Sequence, residues 1–278
     1  MFSTAEIARI VEGRLLRGGD ERPQRAIHDS RLVREGDLFV ALSGARTDGH
    51  AFLAEAFARG ACGAFVSDTA AIPASGRNII VVEDTLCALQ TLAAAWRQEL
   101  HATNVTTTAA AGVPIFVGIT GSYGKTTTKS LLSHLLKEGF NVFCAPRNYN
   151  TEIGLPLALL EMPADAQVGL FELDASGPGE IGPLAALLAP VIAVITAVGR
   201  AHLAGLGSVE AAAQENWDLV RSLPPEGRAI VNIDHPELAR FVAGEKEQPV
   251  TTGTVTTGTV TTGTITSGAI TIGAITIG

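Results

Sequence analysis

Apolar and polar positions along this chain switch between a helical and a strand period on the scale of a domain. Over residues 1–84, Ser3-Thr-Ala-Glu6 has the form of a capping box ahead of an amphipathic helix. Residues 37–42 read as a buried strand, 50–59 as a helix, and 64–66 and 78–82 as further strands. Leu86, Leu89, Leu92, Ala95 and Trp96 recur at helical spacing and predict a connecting helix over 84–100, while the Thr/Ala-rich run 101–112 predicts a flexible linker. Beyond Pro114, the runs 115–119, 141–145, 168–172, 191–196 and 229–232 read as strands separated by helical stretches. That order implies a mostly parallel sheet, with ligands at the carboxyl ends of its strands.

The expected fold is therefore α/β. A small N-terminal α/β domain (1–84) is followed by a connecting helix and linker (85–113), a central phosphate-loop domain with a mostly parallel sheet flanked by helices (114–248), and a tail (249–278). The tail repeats with period five, T-T-G-T-V drifting to T-I-G-A-I, with glycine at 253, 258, 263, 268, 273 and 278 and no charge. So few short repeats make a poor solenoid, and a low-complexity extension with an aggregation hazard is the better reading.

At 278 residues the chain is long enough for two cores, and 46% hydrophobic against 17% charged residues excludes a disordered protein. A net charge of −8 and a pI near 5.3 argue against a broad basic face for nucleic acid or anionic membrane. Three scattered cysteines, Cys62, Cys87 and Cys144, form no C-x-x-C pair and read as apolar fillers in a reducing cytoplasm. The N-terminus lacks the basic and apolar regions of a secretion signal, and no segment has the apolar length to span a bilayer.

The strongest chemical signal is Pro114-Ile-Phe-Val-Gly-Ile-Thr-Gly-Ser-Tyr-Gly-Lys-Thr-Thr-Thr128, an apolar strand entering a glycine-rich turn and then a helix. Gly121, Ser122 and Gly124 can turn backbone N–H groups toward phosphate oxygens, and the helix starting near Lys125 adds its positive end. Lys125 is placed to reach the β- and γ-phosphates, Thr126 to hold Mg²⁺, and Thr127 to complete the first turn. The spacing departs from G-x-x-x-x-G-K-[ST], with the extra glycine at Gly118, and the bland alternative is an ordinary strand-to-helix turn. Further polar groups stand at later strand ends. Glu172 is a Mg²⁺ ligand or a solvated strand-edge residue, His202 a ligand or a structural histidine, and Asn232 a reader of a base edge or the start of a turn.

Four strings together make the chain, over roughly residues 1 to 245, resemble the Mur ligase family, most specifically its MurF branch. They are Asp29-Ser-Arg31 with residues 36–42 and 47–52; the glycine-rich turn; Asn148-Tyr-Asn-Thr-Glu-Ile-Gly-Leu-Pro156; and Pro178-Gly-Glu-Ile181. Alone, Asp29-Ser-Arg31 reads as a surface turn. The resemblance implies an ATP-dependent ligase of peptidoglycan synthesis that joins D-alanyl-D-alanine to UDP-N-acetylmuramoyl-tripeptide through an acyl phosphate. It implies Ser30, Arg31, Asp48, Gly49 and His50 at the UDP-sugar and Asn148 and Asn150 between nucleotide and substrate. Mg-ATP would be held by Lys125, Thr126, Glu172 and His202, with Asn232 near the adenine.

Departures from the family pattern set up a competing expectation. Asn216 stands where the family usually has a lysine, carboxylated in several branches to help hold a second metal. Ala197 replaces a common asparagine, Asp174 a common glycine, and Arg147 and Thr151 interrupt the asparagine-rich string. The pentad repeat takes the place of the family's third, amine-binding domain, so interruption near Pro249 is expected, with a partner chain as one source of the missing part. The alternative is a non-catalytic module that keeps nucleotide or UDP-sugar affinity. A weaker reading, a folylpoly-γ-glutamate or cyanophycin ligase, is opposed by the N-terminal Asp-Ser-Arg and Thr-Asp-Gly-His strings.

Overall fold

A computed structural model describes residues 1–44, 47–74, 76–107, 113–199, 203–244 and 254–256. The chain divides into two units, one of residues 1–113 with 152–164, the other of 114–151 with 165–278.

The first unit opens with α1 (Thr4–Ile10), whose capping box forms as the sequence predicts: Ser3 Oγ accepts from Glu6 N while Glu6 takes the Ser3 backbone N–H. Then follow β1 (Arg14–Leu15), β2 (Ala26–Ile27), β3 (Leu38–Val40), α2 (Leu53–Ala58), β4 (Gly63–Val66), β5 (Ile79–Val81) and α3 (Thr85–Thr107). The strands make a sheet of order β1-β5-β4-β3-β2, parallel except for β1 against β5. Ile27, Phe39, Ala64, Val66 and Ile79 are buried in its core with Leu53 and Ala56 of α2.

The remaining element of this unit comes from much later in the chain. Helix α5 (Gly154–Glu161) is buried at every residue from Gly154 to Leu160, so it must be surrounded by apolar groups. It packs against α3 and β2, and Trp96 Nε1 donates to Met162 O at 3.2 Å just past its end. The reading of 114–248 as one continuous domain thus differs from the structure over 152–164. The expected linker differs as well, because α3 runs on to Thr107. Neither glycine nor proline interrupts 101–107, so no strong helix breaker stops α3 at Leu100.

The second unit contains β6 (Ile115–Thr120), α4 (Lys125–Leu136), β7 (Val142–Cys144), β8 (Val168–Glu172), α6 (Ile181–Leu188), β9 (Ile192–Ile195), α7 (Leu203–Leu206), α8 (Val209–Arg221), β10 (Arg228–Val231), α9 (Pro236–Gly244) and β11 (Thr254–Thr256). Its sheet is parallel throughout, in the order β11-β10-β9-β6-β8-β7. Within the pentad repeat, only Thr254–Thr256 is described, and these residues pair with β10 at the sheet edge. Val117, Ile119, Leu170 and Val194 pack under Leu132 and Leu136 of α4, while Trp217 of α8 is buried and stacks on Phe241 with ring centroids 5.3 Å apart.

From β6 the chain turns toward β7, and from β9 it turns the other way toward β10. The carboxyl ends of β6, β8 and β9 therefore flank a topological switch point, where ligands of open α/β sheets bind. Among the described residues no helix is long and apolar enough to cross a membrane.

Candidate functional site

The turn from β6 into α4 needs left-handed backbone that only glycine adopts easily, and Gly121 (φ 134°) and Gly124 (φ 83°) supply it. A side chain on Gly121 would also collide with Thr196 Oγ1 and the Ala197 backbone. Gly118 serves differently: it lies within β6, and a Cβ there would stand 2.9 Å from Leu219 Cδ1 of α8, so it permits close packing and leaves the phosphate pattern unchanged. The turn is clamped to the exit of β9. Ser122 N donates to Ala197 O at 2.7 Å, Gly199 N to Ser122 Oγ at 3.0 Å, and Thr196 Oγ1 to Tyr123 O at 2.5 Å.

Gly124 is the N-cap of α4 and no side chain caps that end. The first-turn N–H groups, Thr127 among them, have no intrahelical acceptor, and over twelve residues the helix dipole adds to the positive potential there. Lys125 Nζ donates to Gly121 O at 2.6 Å and to Asp174 Oδ1 at 2.9 Å. Thr126 Oγ1 donates to Glu172 Oε2 at 3.1 Å. Two hard oxygens, from a hydroxyl and a carboxylate, meet beside the first turn, and such donors suit Mg²⁺.

Sequence reasoning passed over Lys129, one turn further along α4. Its Nζ donates to Ala145 O at 2.6 Å and lies 2.8 Å from Glu172 Oε1, with 3% and 7% of the two side chains exposed. Glu172 is thus a buried, paired carboxylate, and the solvated strand-edge alternative is set aside. A lysine at that spacing reads as part of a polar helical face, and no local signal singles it out.

Asn232 Nδ2 donates to Thr196 O at 3.0 Å, and its Oδ1 accepts from Asp234 N at 3.1 Å. The side chain thereby ties the exits of β9 and β10 together. Asn148 is exposed in the left-handed region (φ 67°), and Asn150 O accepts from Asp174 N at 3.0 Å. His202 lies outside the described residues. Asn216 is buried, accepting from Thr120 Oγ1 at 2.6 Å and donating to Ala212 O at 2.6 Å. The neighbouring Glu215 accepts from Gly179 N and Ile181 N at 2.7 Å each, which explains the Pro-Gly-Glu-Ile string as the anchored start of α6.

In the first unit, the candidate residues gather around α2. Ser30 Oγ donates to Glu55 Oε2 of α2 at 2.9 Å. Arg31 forms a two-pronged pair with Asp29, at 2.9 and 2.7 Å, and that guanidinium is the main cause holding the Asp29 carboxyl at about 2. Gly49 is required by space, because a Cβ there would meet Leu42 N at 2.7 Å and Leu42 O at 2.8 Å. His50, 3% exposed, accepts at Nε2 from Ser67 N (2.9 Å) and Asp68 N (3.2 Å). Its proton is therefore assigned to Nδ1, 2.6 Å from Asp48 Oδ1. The His50 backbone N–H, and then its ring, lower the Asp48 pKa.

Similarity to known proteins covers parts of both units, and the match over the second runs through residues 152–164 without a break. A model described as the Mur ligase middle domain matches residues 119–269, and one described as the catalytic domain of the Mur ligase family matches 27–97. A UDP-N-acetylmuramoyl-tripeptide–D-alanyl-D-alanine ligase of Synechocystis is 40% identical over 218 residues, covering 78% of this chain and 45% of the relative. Its counterpart in Bacillus subtilis is 36% identical over 236 residues, covering 84% and 49%. The chain spans about half the length of these curated relatives. Among solved structures, MurF from Acinetobacter baumannii superposes with a TM-score of 0.76 at 27% identity over 92% of this chain and 52% of that one. MurF ligase from Thermotoga maritima in complex with ADP gives 0.67 at 34% identity over 79% and 48%.

Proposed function

The chain belongs to the Mur ligase family, and from that premise we propose that its second unit binds Mg-ATP at the β6–α4 turn and its first unit the UDP-sugar end of a peptidoglycan precursor. The activity is that for which the relatives are named, joining D-alanyl-D-alanine to UDP-N-acetylmuramoyl-tripeptide, here through an acyl phosphate in the cytoplasm. One arrangement carries this reading: an uncapped helix end, a lysine at its first position, and a hydroxyl–carboxylate pair at the adjoining strand end.

The backbone N–H groups of Gly124 to Thr127 and the Lys125 ammonium bind and orient the phosphates, so that positioning and fixed charge supply the rate gain. Thr126 and Glu172, with His202 as a further ligand, would hold Mg²⁺, which would supply neutralisation of phosphate charge. Asn232 stands near the adenine, and Asn148 and Asn150 between nucleotide and peptide. In the first unit, the Arg31 guanidinium is oriented by Asp29, while Ser30, Asp48, Gly49 and His50 shape the UDP-sugar site. A partner chain is one source of the amine-binding portion.

Calorimetry of the chain with Mg-ATP and with UDP-N-acetylmuramoyl-tripeptide tests the assignment. Both are expected to bind, and Lys125→Ala is expected to weaken ATP at least about tenfold, by roughly one charge-assisted hydrogen bond, leaving the sugar nucleotide unaffected. No binding of either overturns it. A second reading, a binding module without turnover, is favoured by Asn216, which cannot form a carbamate and is already bonded at both ends of its amide. Phosphate release with D-alanyl-D-alanine present separates the two.

A further inference from the structure

Thr196, at the exit of β9, is bonded through its N–H, its carbonyl and its hydroxyl, and two of these bonds lead to opposite ends of the candidate nucleotide site. The N–H donates to Thr120 O at 3.0 Å. The carbonyl accepts from Asn232 Nδ2 at 3.0 Å, and Asn232 is held in turn by Asp234 N on its Oδ1 at 3.1 Å. The hydroxyl lies 2.5 Å from Tyr123 O and 3.1 Å from Thr120 O. It has one proton to give, and since Thr120 O already has the Thr196 N–H, the nearer Tyr123 carbonyl takes it.

The Tyr123–Gly124 peptide is trans, so its C=O and N–H point in opposite directions. Drawing the carbonyl toward β9 therefore turns the Gly124 N–H away from that strand, and among the described residues no group accepts it. Gly124 is the N-cap of α4, so this N–H joins the first-turn donors that suit an anion. Glycine tolerates either orientation of the peptide before it. The turn alone does not fix the direction of that N–H, and the Thr196 hydroxyl does. Ser122 N to Ala197 O at 2.7 Å and Gly199 N to Ser122 Oγ at 3.0 Å tie the rest of the turn without it, so removing the hydroxyl frees one peptide and leaves the loop in place.

We propose that Thr196 is a positioning residue that aligns the Gly124 N–H for phosphate and couples that alignment to Asn232, so that the base and phosphate ends of a nucleotide are read together. This deepens, and rests on, the nucleotide-site reading above. The test is calorimetric titration of Mg-ADP into the full chain and into Thr196→Val, Thr196→Ser, Asn232→Ala and the Thr196→Val/Asn232→Ala double variant. Valine, which keeps the shape and loses the hydroxyl, is expected to weaken binding about fivefold, and serine, which keeps the hydroxyl, by less than about twofold. Asn232→Ala weakens binding as well, but the loss in the double variant is expected to fall short of the product of the two single losses by about threefold or more, because each single change breaks the same relay.

Wild-type affinity in Thr196→Val overturns the proposal. So does an equal loss in Thr196→Val and Thr196→Ser, which would assign the effect to packing and not to the hydroxyl. Losses that simply multiply in the double variant reject the coupling. Should Thr196→Val not fold by circular dichroism, Thr196→Ala takes its place in the same cycle. If the wild-type chain does not bind Mg-ADP, the nucleotide-site reading itself fails and the proposal falls with it, whereas binding that Lys125→Ala weakens while the Thr196 variants leave it unchanged rejects only the present inference.

Discussion

Lys129 and Glu172 form a pair that is costly to break. Leaving either charge alone in so closed a setting is expected to cost about 3–5 kcal/mol, whereas replacing both with apolar groups of similar volume costs much less. Urea denaturation should show a large loss for Lys129→Met and recovery of most of it in Lys129→Met/Glu172→Leu. Gly49→Ala is a second case, since its Cβ would press on the Leu42 backbone at 2.7 and 2.8 Å; a loss of about 1–3 kcal/mol is expected from overpacking, read by the same method. The turn at Gly121 and Gly124, with Lys125 and Thr126 opening the helix, could be placed from the sequence because a glycine-rich break between an apolar run and a helical pattern marks it. Lys129, Thr196 and Glu215 could not, because their partners are 16 or more residues away and nothing local distinguishes them from surface polar residues.

At the level of elements, helix starts matter most. Helix α6 begins on the Glu215 carboxylate, which takes two backbone N–H groups at 2.7 Å. Glu215→Ala leaves both donors without that partner, and a loss of about 1–3 kcal/mol is expected, again by denaturation, with nucleotide binding as a check on the intact turn. Strands β6 to β10 of the second unit were legible almost to the residue, because a parallel strand between helices is a short apolar run bounded by turn residues, whereas β11 falls in the run read as a low-complexity tail. The short β1 and β2 were not, being too brief to show alternation. Nor was the home of α5: Gly154 to Leu160 shows that the helix is enclosed, but only tertiary contact reveals that α3 encloses it.

For the whole molecule, acid is expected to attack the first unit through carboxylates held below their ordinary range. Asp29 titrates at about 2, against 3.8 when unperturbed, chiefly because of Arg31. The Ser30 and Arg59 side chains lower Glu55, and His50 lowers Asp48. A carboxyl with a depressed folded-state pKa contributes stability that is complete above its unfolded value and is lost as pH falls through the folded one. Thermal unfolding followed from pH 5 to pH 2 should therefore show most of the loss below about pH 4, and Asp29→Asn should flatten that limb.

The return of residues 152–164 to the first unit also governs the order in which the protein can be completed. On the ribosome, β6, α4 and β7 emerge before the helix that closes the earlier core, so the half begun first cannot be finished first. During that interval the buried face of α3, with Leu89, Leu92 and Ala93, is without α5. The long loop that must close around the intervening elements makes this a late contact of high sequence separation. Synthesis therefore carries a window of exposed apolar surface that ends only when α5 has left the exit tunnel.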